Sequence, residues 1–109
     1  MEIGFSNKKI KELCENRAKA TKKLGADCAK KLSTRLSELE AAADVSELVA
    51  GHPHPLIGDR AGEFALDLSG GYRITFSPNH EPCPTLPDGG IDWAKVTIIS
   101  IEFIGDYHD

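Results

Sequence analysis

Residues 63–77, EFALDLSGGYRITFS, constrain the fold more than any other stretch of the chain. Phe64, Leu66 and Leu68 alternate with Ala65 and Asp67, and Tyr72, Ile74 and Phe76 alternate with Arg73 and Thr75. A period of two marks strands with one buried face. Ser69-Gly70-Gly71 between them supplies residues able to take positive φ. The apolar sets choose the register. A two-residue loop would place Leu66 opposite Arg73 and mix core with solvent. A three-residue loop places Leu68 opposite Tyr72, Leu66 opposite Ile74 and Phe64 opposite Phe76. The sequence therefore predicts a hairpin of residues 63–68 with 72–77. Asp67 then faces Arg73 on the side away from the core. An arginine on an open sheet face, beside a loop holding His54, Asp59 and Arg60, is where chemistry is to be sought.

The remainder falls into helices first and strands last. Met1 to Phe5 reads as an edge strand. Ser6 is placed to cap a helix from Asn7 to about Glu15, whose Ile10, Leu13 and Cys14 have the i, i+3, i+4 spacing of a buried stripe. A second helical stretch covers about Arg17 to Ala43, with Leu24, Cys28, Leu32, Leu36 and Leu39 along its apolar face. Gly25 is its weak point and a place for a break. Asp44 caps a last short turn. His52-Pro53-His54-Pro55 reads as irregular chain, because proline lacks the amide donor. Beyond the hairpin, four prolines between Pro78 and Pro87 and the run Asp88-Gly89-Gly90 mark an inserted loop, residues 78–95. It is expected to be exposed and removable, with Trp93 anchoring it. Val96 to Ile104 is nearly continuous apolar sequence, as in a central strand covered on both faces. The order β-α-α-β-β-β predicts a single α+β domain over residues 1–109, with helices packed on a small, mostly antiparallel sheet.

Composition narrows the function classes. With 109 residues, 40% hydrophobic and 28% charged, the chain makes one modest core. No apolar run is long enough to span a membrane, and no secretory signal is visible at the N-terminus. Cys14, Cys28 and Cys83 lack metal-ligand spacing, and an odd count points to reduced thiols and a cytoplasmic location. The net charge of −4 is unevenly spread. Residues 1–35 hold ten of the thirteen Lys and Arg but only four of the seventeen Asp and Glu. The helical half is therefore basic, either as a solvated face or as a stripe able to dock phosphates. Of the four histidines, only His52-x-His54 has spacing suggestive of a metal site. No phosphate loop, nucleophile elbow or paired-carboxylate signature occurs, and neither a metal nor a cofactor is expected.

Two motifs carry a family likeness. His54-Pro55-Leu56, then Gly58-Asp59-Arg60-x-Gly62, an alternating strand and Tyr72-Arg73-Ile74-Thr75-Phe76 form the first. Asp106-Tyr107-His108 form the second. Together they resemble the HigB branch of the RelE/ParE toxin superfamily, the toxins of type II toxin–antitoxin pairs. The chain departs from the pattern in having Ile57 where a lysine is usual, and in the 78–95 insert. The resemblance implies a RelE-like fold and a metal-independent endoribonuclease, an mRNA interferase that inhibits translation by cutting mRNA in the ribosome. It implies a helix-turn-helix antitoxin as partner. It also implies that His54, Asp106, Tyr107 and His108 belong to the ribonuclease site, with Arg73 on the concave face near them.

The chemistry suits those residue types. Metal-free RNA cleavage needs a base for the 2′-OH, an acid for the leaving 5′-oxygen and cations for the phosphate. Histidine serves the first two near neutral pH, and arginine serves the third. Asp59 and Arg60 are candidates for contact with RNA. Each residue also has a plainer use: Arg73 pairing with Asp67, His54 shaping a loop before Pro55, and Asp59-Arg60 forming a turn. Two other functions stand beside the nuclease. One is a binding-only toxin of the same fold. The other is a decayed toxin that retains only its antitoxin.

Overall fold

The computed structural model describes residues 1–106. Its strands are β1 (Glu2–Phe5), β2 (His54–Pro55), β3 (Phe64–Asp67), β4 (Tyr72–Pro78) and β5 (Ile98–Asp106). Its helices are α1 (Lys8–Glu15), α2 (Arg17–Leu24) and α3 (Ala26–Ala41). The sheet order is β1-β5-β4-β3-β2, with β1 parallel to β5 and every other pair antiparallel.

The hairpin takes the register that the apolar faces require. Phe64 pairs with Phe76, Leu66 with Ile74 and Asp67 with Arg73. The Leu68 amide donates to the Tyr72 carbonyl at 2.8 Å and so closes a three-residue loop. Gly70 and Gly71 in it have φ of 64° and 83°, values that a side chain resists.

The helical half departs from expectation at its first cap and breaks where Gly25 allowed a break. The α1 cap is Asn7 rather than Ser6: the Asn7 side chain accepts from the Ile10 amide at 2.9 Å, satisfying a first-turn donor. The long second stretch is two helices. Gly25, at φ 89°, ends α2 and begins α3, where continuing one straight helix would carry the chain past the sheet. Asp44 caps the short turn at Val45–Glu47, accepting from the Ser46 amide at 2.8 Å. Ile10, Ala20, Cys28, Leu32 and Leu39 of the helices pack on Leu66, Ile74, Phe76, Ile99 and Ile101 of the sheet. The layer arrangement is α+β.

β5 lies between β1 and β4, as a central strand should, but only one of its faces is sealed. Ile99 and Ile101 are fully buried, while Ile98, Ser100 and Glu102 on the other side are half-buried. The β4–β5 register shifts between Thr75 and Phe76, a bulge at Glu102–Phe103 that re-aims the strand.

The insert is only partly outside the core. Residues 81–90 are mostly exposed and include a small turn in which the Leu86 amide donates to the Gly90 carbonyl at 2.7 Å. Trp93 lies edge-on against Phe64, ring centroids 4.8 Å apart, and Ile91 joins it at the core's margin. A cut from Pro78 to Lys95 would remove that packing along with the exposed loop. It would also remove His80, whose Nε2 accepts from the amides of Thr97 and Ile98 at 3.0 and 3.2 Å and so fixes the start of β5.

Candidate functional site

Two rows of side chains cross the sheet on the face turned away from the helices. Strand pairing aligns His54 of β2, Ala65 of β3, Thr75 of β4 and Phe103 of β5 in one row. The next row holds Asp67, Arg73 and Gly105. His54 and Arg73, distant in sequence, therefore share a face because alternation puts them there. Asp106 pairs with Tyr72, one step beyond the Arg73–Gly105 pair. Tyr107 and His108 lie outside the described residues.

The face is not open, as the sequence led one to expect. Ala65 and Thr75 on it are both 0% exposed. Three side chains cover them. The Phe103 ring folds over Gly105, where a Cβ would fall 2.7 Å from its Cζ. Arg60 stacks on that ring, its guanidinium carbon 4.4 Å from the centroid. Arg60 Nη1 also donates to Glu63 Oε1 at 3.0 Å, and the Thr75 hydroxyl donates to the same oxygen at 2.6 Å. Arg60 is thus a structural cation held by a ring and a carboxylate. Asp59 sits exposed in the 3-10 turn Gly58–Arg60, and Ile57 before it is 89% exposed.

On the β2 side, two imidazoles stack. The rings of His52 and His54 have centroids 4.5 Å apart, and His52 Nδ1 lies 3.7 Å from Asp67 Oδ2. His54 Nδ1 is 2.7 Å from the His52 carbonyl oxygen. A carbonyl only accepts, so Nδ1 carries the proton, and in the neutral ring Nε2 has the lone pair. Among the described residues no cluster of three His, Cys, Asp or Glu side chains could hold a metal ion.

Behind this edge lies a charged group that sequence reasoning passed over. Arg35 of α3 is 8% exposed, its Nε donating to the Asp67 carbonyl at 3.1 Å and its Nη1 to Glu38 at 2.7 Å. The signal was present: Arg35 falls three residues after Leu32, inside the apolar stripe. Glu63 and Phe103 were also missed; a carboxylate just before a strand gives no periodic signal. The thiols stand apart from these groups. Burial, with Glu15 adding to it, pushes the Cys14 thiol up to about 12, and burial raises Cys28 while a Ser69 backbone hydrogen bond opposes it. Both are weak nucleophiles near neutral pH.

No helix among the described residues is long and apolar enough to cross a membrane. No protein-family model matches the chain, and no curated protein does. Among solved structures, the YoeB/ParE toxin from Agrobacterium tumefaciens aligns over 97% of this chain and 98% of that one, with a TM-score of 0.61 and 11% identity. In fold, three helices packed on a five-stranded, mostly antiparallel sheet, this chain is thus similar to a YoeB/ParE toxin.

Proposed function

We propose that the chain is a toxin of the HigB branch of the RelE/ParE superfamily, an endoribonuclease acting on ribosome-bound mRNA in the cytoplasm and silenced by a helix-turn-helix antitoxin. The observation that carries this reading is the placing of His54 and Arg73 on one sheet face, two strands apart. Two strand spacings are roughly 10 Å, and because Arg60, Glu63 and Phe103 cover the row between them, RNA meets His54 and Arg73 over that cover. His54 Nε2 takes the proton from the 2′-OH, the 2′-oxygen attacks phosphorus and the bond to the 5′-oxygen breaks. Arg73 holds the charge that gathers on the non-bridging oxygens. His108 returns a proton to the leaving 5′-oxygen, with Tyr107 beside it, while Asp106, paired with Tyr72, falls on the opposite face. Asp59 is left at the rim to meet RNA. Arg60 contributes through the surface it shares with Phe103, its Nη1 being held by Glu63.

One observation favours the binding-only alternative. Ile57, where the HigB pattern usually has lysine, presents an apolar side chain to solvent, as a protein-docking surface would. Cleavage of ribosome-bound mRNA separates the two. Wild type should cut, Arg73→Ala should lose on the order of 10²-fold in rate, and His108→Gln should lose cleavage while still binding antitoxin. Wild type that arrests growth without cutting would establish the binding-only reading.

A further inference from the structure

Ladder geometry at the β2 edge contains one slip. With His54 paired to Ala65, a regular antiparallel ladder would bond the Asp67 amide to the His52 carbonyl. The Asp67 amide donates instead to Gly51, at 2.7 Å. The slip leaves the His52 carbonyl without its ladder partner, and that oxygen is the one that accepts from His54 Nδ1. His52 itself is left-handed, with φ 52°, a conformation that costs a residue with a side chain free energy unless its surroundings impose it.

Its neighbours impose it. Gly51 has φ 85°, and a Cβ there would lie 2.5 Å from Arg35 Nε. Arg35 therefore packs directly against a bare glycine while its Nε bonds the Asp67 carbonyl at 3.1 Å. Glu38 holds the other end of the guanidinium. From above, the His52 ring is flanked by Asp67 and His54. We propose that Arg35, Gly51 and His52 form a positioning device whose output is the tautomer of His54. Arg35 sets the Gly51 slip, the slip turns the His52 carbonyl outward, and that carbonyl holds the proton on Nδ1 of His54. Nε2 is thereby kept as the basic nitrogen. The orienting partner is a backbone carbonyl, fixed from the helical layer behind the sheet, in the role a carboxylate fills in other base–orienter pairs. Use of that nitrogen as a base rests on the nuclease reading above; its tautomer does not.

Long-range nitrogen–proton correlation spectra of the imidazoles in the full-length protein test this. Wild-type His54 should show the Nδ1–H form in about tenfold excess, the equilibrium effect of one hydrogen bond. His52→Gly, which keeps the carbonyl and suits the left-handed backbone, should retain that excess. Gly51→Ala and Arg35→Lys should lose it while cooperative melting persists. Wild type in the Nε2–H form, or an unchanged His54 in both folded variants, overturns the proposal. If both variants fail to fold, the wild-type and His52→Gly spectra still decide it. In the cleavage assay Arg35→Lys should lower kcat by about 10-fold to 100-fold, within the share a general base supplies, with little change in KM. Wild type that shows the expected tautomer yet does not cleave defeats the nuclease reading and leaves the positioning device standing.

Discussion

The two faces of the β3–β4 hairpin are both buried, by different means. On the helix side, Leu66, Ile74 and Phe76 belong to one apolar cluster with Leu32 and Leu39, and burial there follows from area removed from water. On the other side, Ala65 and Thr75 are as fully buried, but under an arginine, a glutamate and one ring. The first face is strict in volume and excludes polar groups. The second is also strict in hydrogen bonding, because a covered hydroxyl or carboxylate without a partner costs free energy. Chemistry belongs on the second kind of face, where charged groups already sit in fixed positions.

The contrast can be broken by substitutions on either side. Phe76→Ala should have the largest effect, about 3–5 kcal/mol of stability by chemical denaturation, since the side chain is fully buried. Trp93→Ala should come next, at about 2–3 kcal/mol, because it strips the edge-on contact from Phe64 at the border of the same face. Thr75→Val keeps the volume and removes the donor to Glu63, so a loss of about 1–2 kcal/mol is expected. A neutral Thr75→Val would mean that volume alone governs the second face too. The smallest effect concerns pH. The Cys14 thiol, raised from the ordinary 9.0 to about 12, keeps its proton in the folded chain where the unfolded chain loses it. Its contribution to stability is complete below pH 9 and is lost as pH rises toward 12. Melting temperature in that window should fall less steeply in Cys14→Ala than in wild type.

The hairpin was legible because two independent signals, alternation and the glycine turn, demanded one register. The break at Gly25 was legible as a weak point, although only the packed structure shows α2 and α3 as separate helices. Asn7 competed with Ser6 for the α1 cap, and both are good caps, so sequence could not separate them. The covered second face was not legible. Arg60, Glu63, Thr75 and Phe103 come from a turn, a strand entry and two strands, and only the assembled sheet brings them together. His52 was hidden for another reason: a left-handed residue between Gly51 and Pro53 leaves no periodic trace. His54 and Arg73 were named from their residue types and the family likeness, and the strand register accounts for their common face.

The parallel pairing of β1 with β5 also bears on how the chain comes to be folded. Glu2 finds its partner in Ile98, and Phe5 in Ile101, so the first strand to leave the ribosome must wait for nearly the last. β5 is also the strand between β1 and β4, and until it arrives the two flanking parts of the sheet have no common edge. Contacts this far apart in sequence close large loops and form late. A chain without β5 carries three helices and the β3–β4 hairpin but lacks Ile99 and Ile101, which complete their shared core. Folding is therefore gated by translation of residues 98–106, and stalling before that point should leave a protease-sensitive, chaperone-dependent intermediate.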